Sequence, residues 1–130
     1  MPAYDASLFA PPAPVAHVTL RHPATGNTLC NVPMLIDSGA DVTLIPRESM
    51  NLDRSCHYPT TEYELVGFDG NVSASHAVQL DLLFLKRAFK GRFLVTDQSC
   101  GVLGRDILNH LAILLDGPRL TWESSEPGKA

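Results

Sequence analysis

The chain has 130 residues, a length that suits one compact domain, and an apolar fraction of 45% that allows a core of useful size. Its 10 basic and 14 acidic residues give a net charge of −4 without a long basic run, so nucleic acid is not an expected partner. No apolar run approaches the ~18 residues of a membrane span, and no secretory signal is recognisable. We therefore expect a cytoplasmic protein without a membrane partner. A domain excised from a larger polyprotein would have the same features.

The first half of the chain is predicted to consist of an arm followed by short strands. Residues 1–14 contain four prolines and are predicted to form a proline-rich N-terminal arm. Strand-like alternation follows in residues 16–22 and 28–36, on either side of a turn cluster at 23–27, which predicts a β-hairpin. Residues 42–46 form a further β-branched, apolar segment that ends at a proline.

The second half contains more strands and one helix. An Asp-Gly turn separates the alternating segments 61–68 and 72–85, and this arrangement is a strong hairpin signal. Residues 87–96 supply one more strand.

The spacing of apolar residues changes near the C-terminus. Ile107, Leu108 and Leu111 fall on one side of a short predicted helix, with Asp106 near its N-terminus. The segment after this helix is predicted to form a final hairpin around the Asp-Gly-Pro turn at 116–118.

The cysteines and histidines give no sign of a metal site or a cofactor. Cys30, Cys56 and Cys100 are an odd number without a C-x-x-C pair, so we expect reduced, mostly buried thiols rather than a disulfide framework or a zinc site. No histidine lies at metal-ligand spacing from another plausible ligand. We therefore expect neither a metal nor a cofactor.

The stretch "LIDSGAD" (35–41) can be interpreted in two ways. An apolar strand delivers Asp37 to a turn, where Ser38 offers a hydroxyl for backbone bonding. Gly39 and Ala40 remove bulk, so that a second backbone or a substrate can approach, and Asp41 adds another carboxylate. On its own, the stretch is compatible with a catalytic acid, but a polar turn that caps a strand is the commoner meaning of such a sequence.

A second block of sequence favours the catalytic interpretation. The stretch "GVLGRDIL" (101–108) places an apolar pair before Gly-Arg-Asp at the start of the predicted helix. Together with the Asp-Ser-Gly-Ala turn (37–40) and the hairpin "ELVGFDGNVSAS" (64–75), it makes the chain resemble the retropepsins. These are the single-domain aspartic proteases of retroviruses, retrotransposons and their cellular relatives. The three motifs follow in the family's order.

The resemblance implies a role for each matched residue. Asp37, Ser38 and Gly39 would form the catalytic turn, in which Asp37 is the acid and the Ser38 hydroxyl locks the two turns of a dimer together. The residues implied to contact substrate are Ala40, Asp41, Val66, Gly67, Phe68, Asp69, Gly70 and Leu103. The residues implied to support the turn are Gly104, Arg105 and Asp106, with Arg105 as the ion-pair partner of Asp41.

The resemblance also implies a fold class and a domain layout. The fold would be a mostly β, small closed β-barrel-like acid protease fold with one short C-terminal helix, assembled as a homodimer. Residues 15–123 would form this domain, between the arm at 1–14 and a flexible tail at 124–130.

The implied function is that of an aspartic endopeptidase without a cofactor. Two carboxylates must share one proton across a water, and the chain holds a single Asp-Ser-Gly turn, so an active protease would have to be a homodimer. Its substrate would be an extended peptide or protein, cut between apolar residues. The alternative is a retropepsin-fold dimer that binds peptides but cleaves them weakly or not at all, because Phe68 and Asp69 make the hairpin tip bulkier and more charged than the glycine-rich tips of viral members. A β-barrel interaction domain with a coincidental turn would leave the Gly-Arg-Asp block unexplained.

Overall fold

The structure is a computed structural model, and it describes residues 2–50, 64–67 and 77–125. The strands are β1 (Val15–Arg21), β2 (Thr28–Ile36), β3 (Leu44–Pro46), β4 (Glu64–Gly67), β5 (Ala77–Phe84), β6 (Arg87–Thr96), β7 (Gly101–Leu103), β8 (Ala112–Asp116) and β9 (Thr121–Ser125). The helical elements are a 3₁₀ turn at Arg47–Met50 and the helix α1 (Arg105–Leu108). The described part of the chain is therefore mostly β with little helix, as predicted.

The first hairpin has the predicted strands and an irregularity that bends it. β1 and β2 pair antiparallel, but their register shifts between Val18 and Leu20. On the opposite strand Asn31 has a φ of 58°, in the left-handed region that asparagine tolerates better than most residues. Such a bulge increases the local twist and bends the strands, as closure of a barrel requires.

Six of the strands close into a barrel. Their order is β3-β7-β2-β1-β5-β6, and a parallel pairing of β3 with β6 returns the sheet to its first strand. β4 pairs parallel with the first residues of β6, beside the position of β3. The predicted closed barrel is thus confirmed, and closure leaves the six strands with few unpaired edges.

The core is built from buried apolar side chains of the barrel strands and of α1. The largest fully buried side chains include Phe89, Phe93, Leu20, Met34, Ile45, Leu82, Leu103 and Ile107. Each contributes on the order of 1.5–3 kcal/mol through removal of apolar surface from water. Because β2 and β7 both contribute to this core, the ends of these two strands are held rigidly.

The helix is shorter than its apolar spacing indicated. α1 ends at Leu108, and the Asn109 N–H caps it by donating to the Arg105 carbonyl at 3.0 Å. Ile107 is fully buried, whereas Leu108 and Leu111 pack against the core from partly buried positions. All three predicted residues therefore share the core side, although Leu111 lies beyond the helix. No helix among the described residues is long and apolar enough to cross a membrane.

The last two strands form a separate small sheet. β8 and β9 pair antiparallel from Ala112 opposite Ser125 to Asp116 opposite Thr121, which confirms the predicted final hairpin. Within the predicted N-terminal arm, Ala3 forms an antiparallel bridge to Thr121. We call residues 2–4, β9 and β8 together the terminal sheet.

The prediction of three reduced thiols is wrong for Cys30, which is disulfide-bonded. The prediction used only cysteine number and spacing, and these do not report which sulfur atoms the fold brings together. Cys100 is a free thiol, and burial raises its pKa above the ordinary value. Since disulfides persist mainly in oxidising compartments, the cytoplasmic location stays a prediction.

Candidate active site

Asp37 lies at the point where β2 leaves the barrel. Ile36, the last residue of β2, pairs with Leu103 of β7. Just beyond this pair the Asp37 N–H donates to the Leu103 carbonyl at 3.1 Å, so the acid is still attached to the sheet. The chain then turns over residues 37–40, which we call the acid turn, and the Ala40 N–H donates to the Asp37 carbonyl at 3.1 Å. The half-buried acid is therefore fixed at the rim of a rigid core.

The carboxylate of Asp37 is oriented by the turn itself. Asp37 Oδ1 accepts a hydrogen bond from the Gly39 N–H at 2.9 Å. A Cβ at residue 39 would lie 3.1 Å from this oxygen, so glycine keeps the space around the carboxylate open. Ser38 and Gly39 are exposed, which leaves the outer side of the turn accessible to a second molecule.

Arg105 ties the turn to the start of α1 through three contacts. Its backbone N–H donates to the Ala40 carbonyl at 2.9 Å, and its Nη1 donates to the Ser38 carbonyl at 2.7 Å. Its Nη2 forms an ion pair with the Asp41 carboxylate, so the predicted pair is brought together. Both side chains are exposed, at 44% and 82%, so the ion pair adds only about 0–1 kcal/mol to stability. We infer that its effect is to hold the geometry of the turn.

A buried network lies behind the turn, and its central residue was missed by the sequence analysis. The Thr43 hydroxyl donates to Asp106 Oδ1 at 2.6 Å and accepts from the Gly104 N–H at 3.1 Å. Asp106 Oδ2 accepts from the Thr43 N–H at 2.9 Å, and Asp106 Oδ1 also accepts from the Ile107 N–H at 2.8 Å. Thr43 is only 1% exposed. The one signal in the sequence is a hydroxyl residue at the start of an otherwise apolar segment.

Gly104 allows the start of α1 to pack against the backbone of Val42. A Cβ at this residue would lie 2.5 Å from the carbonyl carbon and oxygen of Val42, and backbone atoms cannot move aside as a flexible side chain could. Only glycine therefore permits α1 to begin directly against the segment that follows the acid turn.

We expect Gly104→Ala to lower the free energy of unfolding by about 1–3 kcal/mol, since the inserted methyl group would overpack a closely packed contact. Urea unfolding followed by tryptophan fluorescence measures this change. Gly117→Ala is the matched control, because a Cβ at Gly117 meets nothing within 4 Å. Equal stabilities of the two variants would contradict the close packing described here.

The structure describes only some of the other residues that the resemblance implies to contact substrate. Val66 and Gly67 belong to β4, whose backbone pairs with β6. The hairpin tip at 68–70 lies outside the described residues. Leu103 is fully buried in the core, so its contact with the site is made through its backbone carbonyl, which binds Asp37.

The described residues contain no group of three or more histidine, cysteine or acidic side chains arranged to hold a metal ion. The Asp37 carboxylate accepts a hydrogen bond from the Gly39 backbone N–H, and the Arg105 guanidinium binds the neighbouring Ser38 carbonyl and Asp41 carboxylate. Among the described residues, the turn therefore presents a carboxylate together with groups that orient it.

The chain is similar to known proteins in sequence and in structure. The chain matches the family model of the retroviral aspartyl protease over residues 12–116. Among solved structures, it is similar to the EIAV protease complexed with the inhibitor HBY-793. The two share 24% sequence identity over 75% of this chain and 86% of that chain, with a TM-score of 0.44. No curated protein is significantly similar to the chain.

Proposed function

Because the chain belongs to the retroviral aspartyl protease family, we propose that it is an aspartic endopeptidase that acts as a homodimer. Each chain would contribute one Asp37 to a shared catalytic centre. The observation that carries this proposal is the position of Asp37, held at the end of a core strand and oriented by the Gly39 N–H.

The requirement for two chains follows from the chemistry. Two facing carboxylates cannot both ionise, so they share one proton. The ionised carboxylate takes a proton from the attacking water, while the protonated one donates to the scissile carbonyl oxygen. The sequence contains one Asp-Ser-Gly turn, and the second carboxylate must therefore come from another copy. A twofold axis between the two turns supplies it.

The other residues of the turn have supporting roles in this proposal. Ser38 is exposed next to Asp37, where its hydroxyl is free to bond to the turn of the second copy. Asp41 would accept hydrogen bonds from the substrate main chain, and Arg105 would hold Asp41 and the Ser38 carbonyl in position. Gly39 and Ala40 would leave room for the substrate backbone.

The proposed substrate is an extended peptide or an extended segment of a protein. Bound as an added strand, it would gain affinity from main-chain hydrogen bonds and specificity from side-chain pockets. The residues between Val66 and Gly70 would cover it, and their apolar members favour apolar side chains beside the cleaved bond.

The proposal is tested by incubating the protein with a mixed peptide library at pH values from about 3.5 to 7.5, the range in which a carboxylate dyad can hold a single proton. Cleavage between apolar residues is expected, with a rate per chain that rises with protein concentration as dimers form. The rate should fall on both sides of an optimum.

Sedimentation velocity on the same samples separates the remaining possibilities. A dimer that binds peptides but cleaves none of them across the range would favour the peptide-binding alternative. A monomer that is inactive at every concentration would contradict the proposal as a whole.

A further inference from the structure

A cavity of about 310 Å³ lies between the barrel and the terminal sheet. Residues of β1 and β5 line it on the barrel side, and Trp122 of β9 lines it on the side of the terminal sheet. No described residue of the acid turn or of α1 is part of its lining, so the cavity is separate from the candidate active site. Its volume is at the lower end of the range of about 300–1,000 Å³ that is typical of small-molecule sites.

The cavity lies on the face of β1 that points away from the barrel core. From this strand, the core cluster takes Ala16, Val18 and Leu20. Because successive side chains of a strand point to opposite faces, Val15, His17 and Thr19 point outward. Val15 and Thr19 are nevertheless only 2% and 5% exposed, since the terminal sheet covers this face. The Trp122 Nε1 donates to the Val15 carbonyl at 3.3 Å, which holds the covering side chain in place.

Two aromatic rings form one wall of the cavity. Phe84 and Trp122 both line it, with ring centroids 6.0 Å apart and ring planes tilted by 53°. Both side chains are buried, and the Trp122 N–H is already bonded to the Val15 carbonyl. The wall therefore offers ring faces and edges rather than a donor, and such surfaces attract a further aromatic ring in a tilted or offset arrangement.

The Thr19 hydroxyl is a buried polar group that awaits a partner. Among the described residues, no side chain or backbone group forms a hydrogen bond with it. The buried side-chain oxygen that lacks both a partner and access to solvent in this part of the chain is Thr121 Oγ1, not the hydroxyl of Thr19. Because Thr19 lines the cavity, its hydroxyl is reached through the cavity. A polar group of a bound molecule would supply the missing hydrogen bond.

The rest of the lining favours an uncharged molecule. The described lining residues include no acidic residue, lysine or arginine, and His17 is exposed. A charged ligand would lose its hydration in this cavity without gaining an ion pair with any of these side chains.

We propose that this cavity binds a small, uncharged aromatic molecule that carries one hydroxyl group. The rings lie against Phe84 and Trp122, and the hydroxyl bonds to that of Thr19. An apolar cavity of about 150 Å³ holds one benzene ring, so a cavity about twice as large accommodates two fused rings. This site is separate from the proposed protease activity and does not depend on it.

The fluorescence of Trp122 tests the proposal in the whole protein, because Trp122 is the only tryptophan of the chain and lines the cavity. The probe is indanol, two fused rings with one hydroxyl, and excitation is at wavelengths that the probe does not absorb. We expect a saturable change with a dissociation constant of about 1 mM or lower. Indane, which lacks the hydroxyl, and octahydroindenol, which lacks the aromatic ring, should each bind at least about threefold more weakly.

Thr19→Val removes the hydroxyl and keeps the shape of the side chain. Since this hydroxyl has no protein partner among the described residues, the variant should fold as the unmodified protein does. Its affinity for indanol should fall about fivefold or more, whereas its affinity for indane should not fall. Thr96→Val is the matched control, because Thr96 lies in β6 and is not part of the lining. It should leave both affinities unchanged.

Each alternative outcome contradicts a stated part of the proposal. If none of the probes changes the fluorescence of Trp122 saturably, the cavity holds only water and the proposal is wrong. If Thr19→Val weakens indane and indanol equally, or weakens neither, the hydrogen bond to Thr19 is wrong. If octahydroindenol binds as tightly as indanol, the aromatic preference is wrong. Peptide cleavage enters none of these measurements, so the protease proposal stands or fails independently.

Discussion

Asp37→Asn is expected to reduce peptide hydrolysis by about 10⁴-fold or more, because the general acid and the general base are lost together from both chains. Asparagine has nearly the same shape, and its Oδ1 can still accept the Gly39 N–H that Asp37 Oδ1 accepts at 2.9 Å. The fold and the dimer should therefore remain. Cleavage of the best library peptide, measured beside sedimentation velocity and thermal unfolding, tests both halves of this expectation.

A mixing experiment makes the same variant a test of the shared catalytic centre. If chains pair at random in a symmetric dimer, an equal amount of Asp37→Asn should lower the activity of the unmodified protein to about half, and a ninefold excess to about a tenth. Ser125→Cys, kept reduced, is the control chain: because it is itself active, an equal amount should about double the total activity and a ninefold excess should raise it about tenfold. Activity that does not respond to added Asp37→Asn would show that one chain suffices and would contradict the dyad.

Local sequence patterns predicted the strands well, since each depends on residues close together in the chain. The alternation in 28–36 and in 87–96 corresponds to β2 and β6. The apolar face of Ile107, Leu108 and Leu111 also lies toward the core. In these segments burial of one face decides the local structure.

Contacts between distant segments could not be predicted in the same way. The parallel pairing of β3 with β6 that closes the barrel leaves no local pattern in either strand. The disulfide state of Cys30 likewise depends on which sulfur atoms the fold brings together. The pairing of residues 2–4 with β9 depends on where both ends of the chain meet.

In the candidate site, too, residues in local motifs could be predicted from the sequence, whereas a residue that acts through a distant contact could not. Asp37, Gly39 and Arg105 could be found because their motifs are compact and the resemblance assigns them roles. Thr43 could not, since its importance comes from Asp106, which is 63 residues away in the chain. A buried hydroxyl that joins two motifs is visible only when the fold has placed them together.

Thr43→Val is expected to lower the free energy of unfolding by about 2–4 kcal/mol, because it leaves the buried Gly104 N–H without its partner and removes one hydrogen bond to the Asp106 carboxylate. Valine fills the same space, but it cannot donate to Asp106 Oδ1 or accept from the Gly104 N–H. Cleavage should fall as well, since this network joins the segment after Asp41 to the start of α1. Urea unfolding and peptide cleavage at fixed dimer concentration measure the two effects.

Thr43→Ser is the matched control, because serine keeps the hydroxyl and removes one buried methyl group, at a cost of about 1 kcal/mol. The two variants therefore separate the hydrogen bonds of Thr43 from its packing. If the hydrogen bonds matter, the serine variant should keep most of the stability and the activity, whereas the valine variant loses both. If the valine variant were the more stable of the two, packing would dominate at this residue. The acid turn would then be held by Arg105 and the strand pairing of β2 with β7 alone.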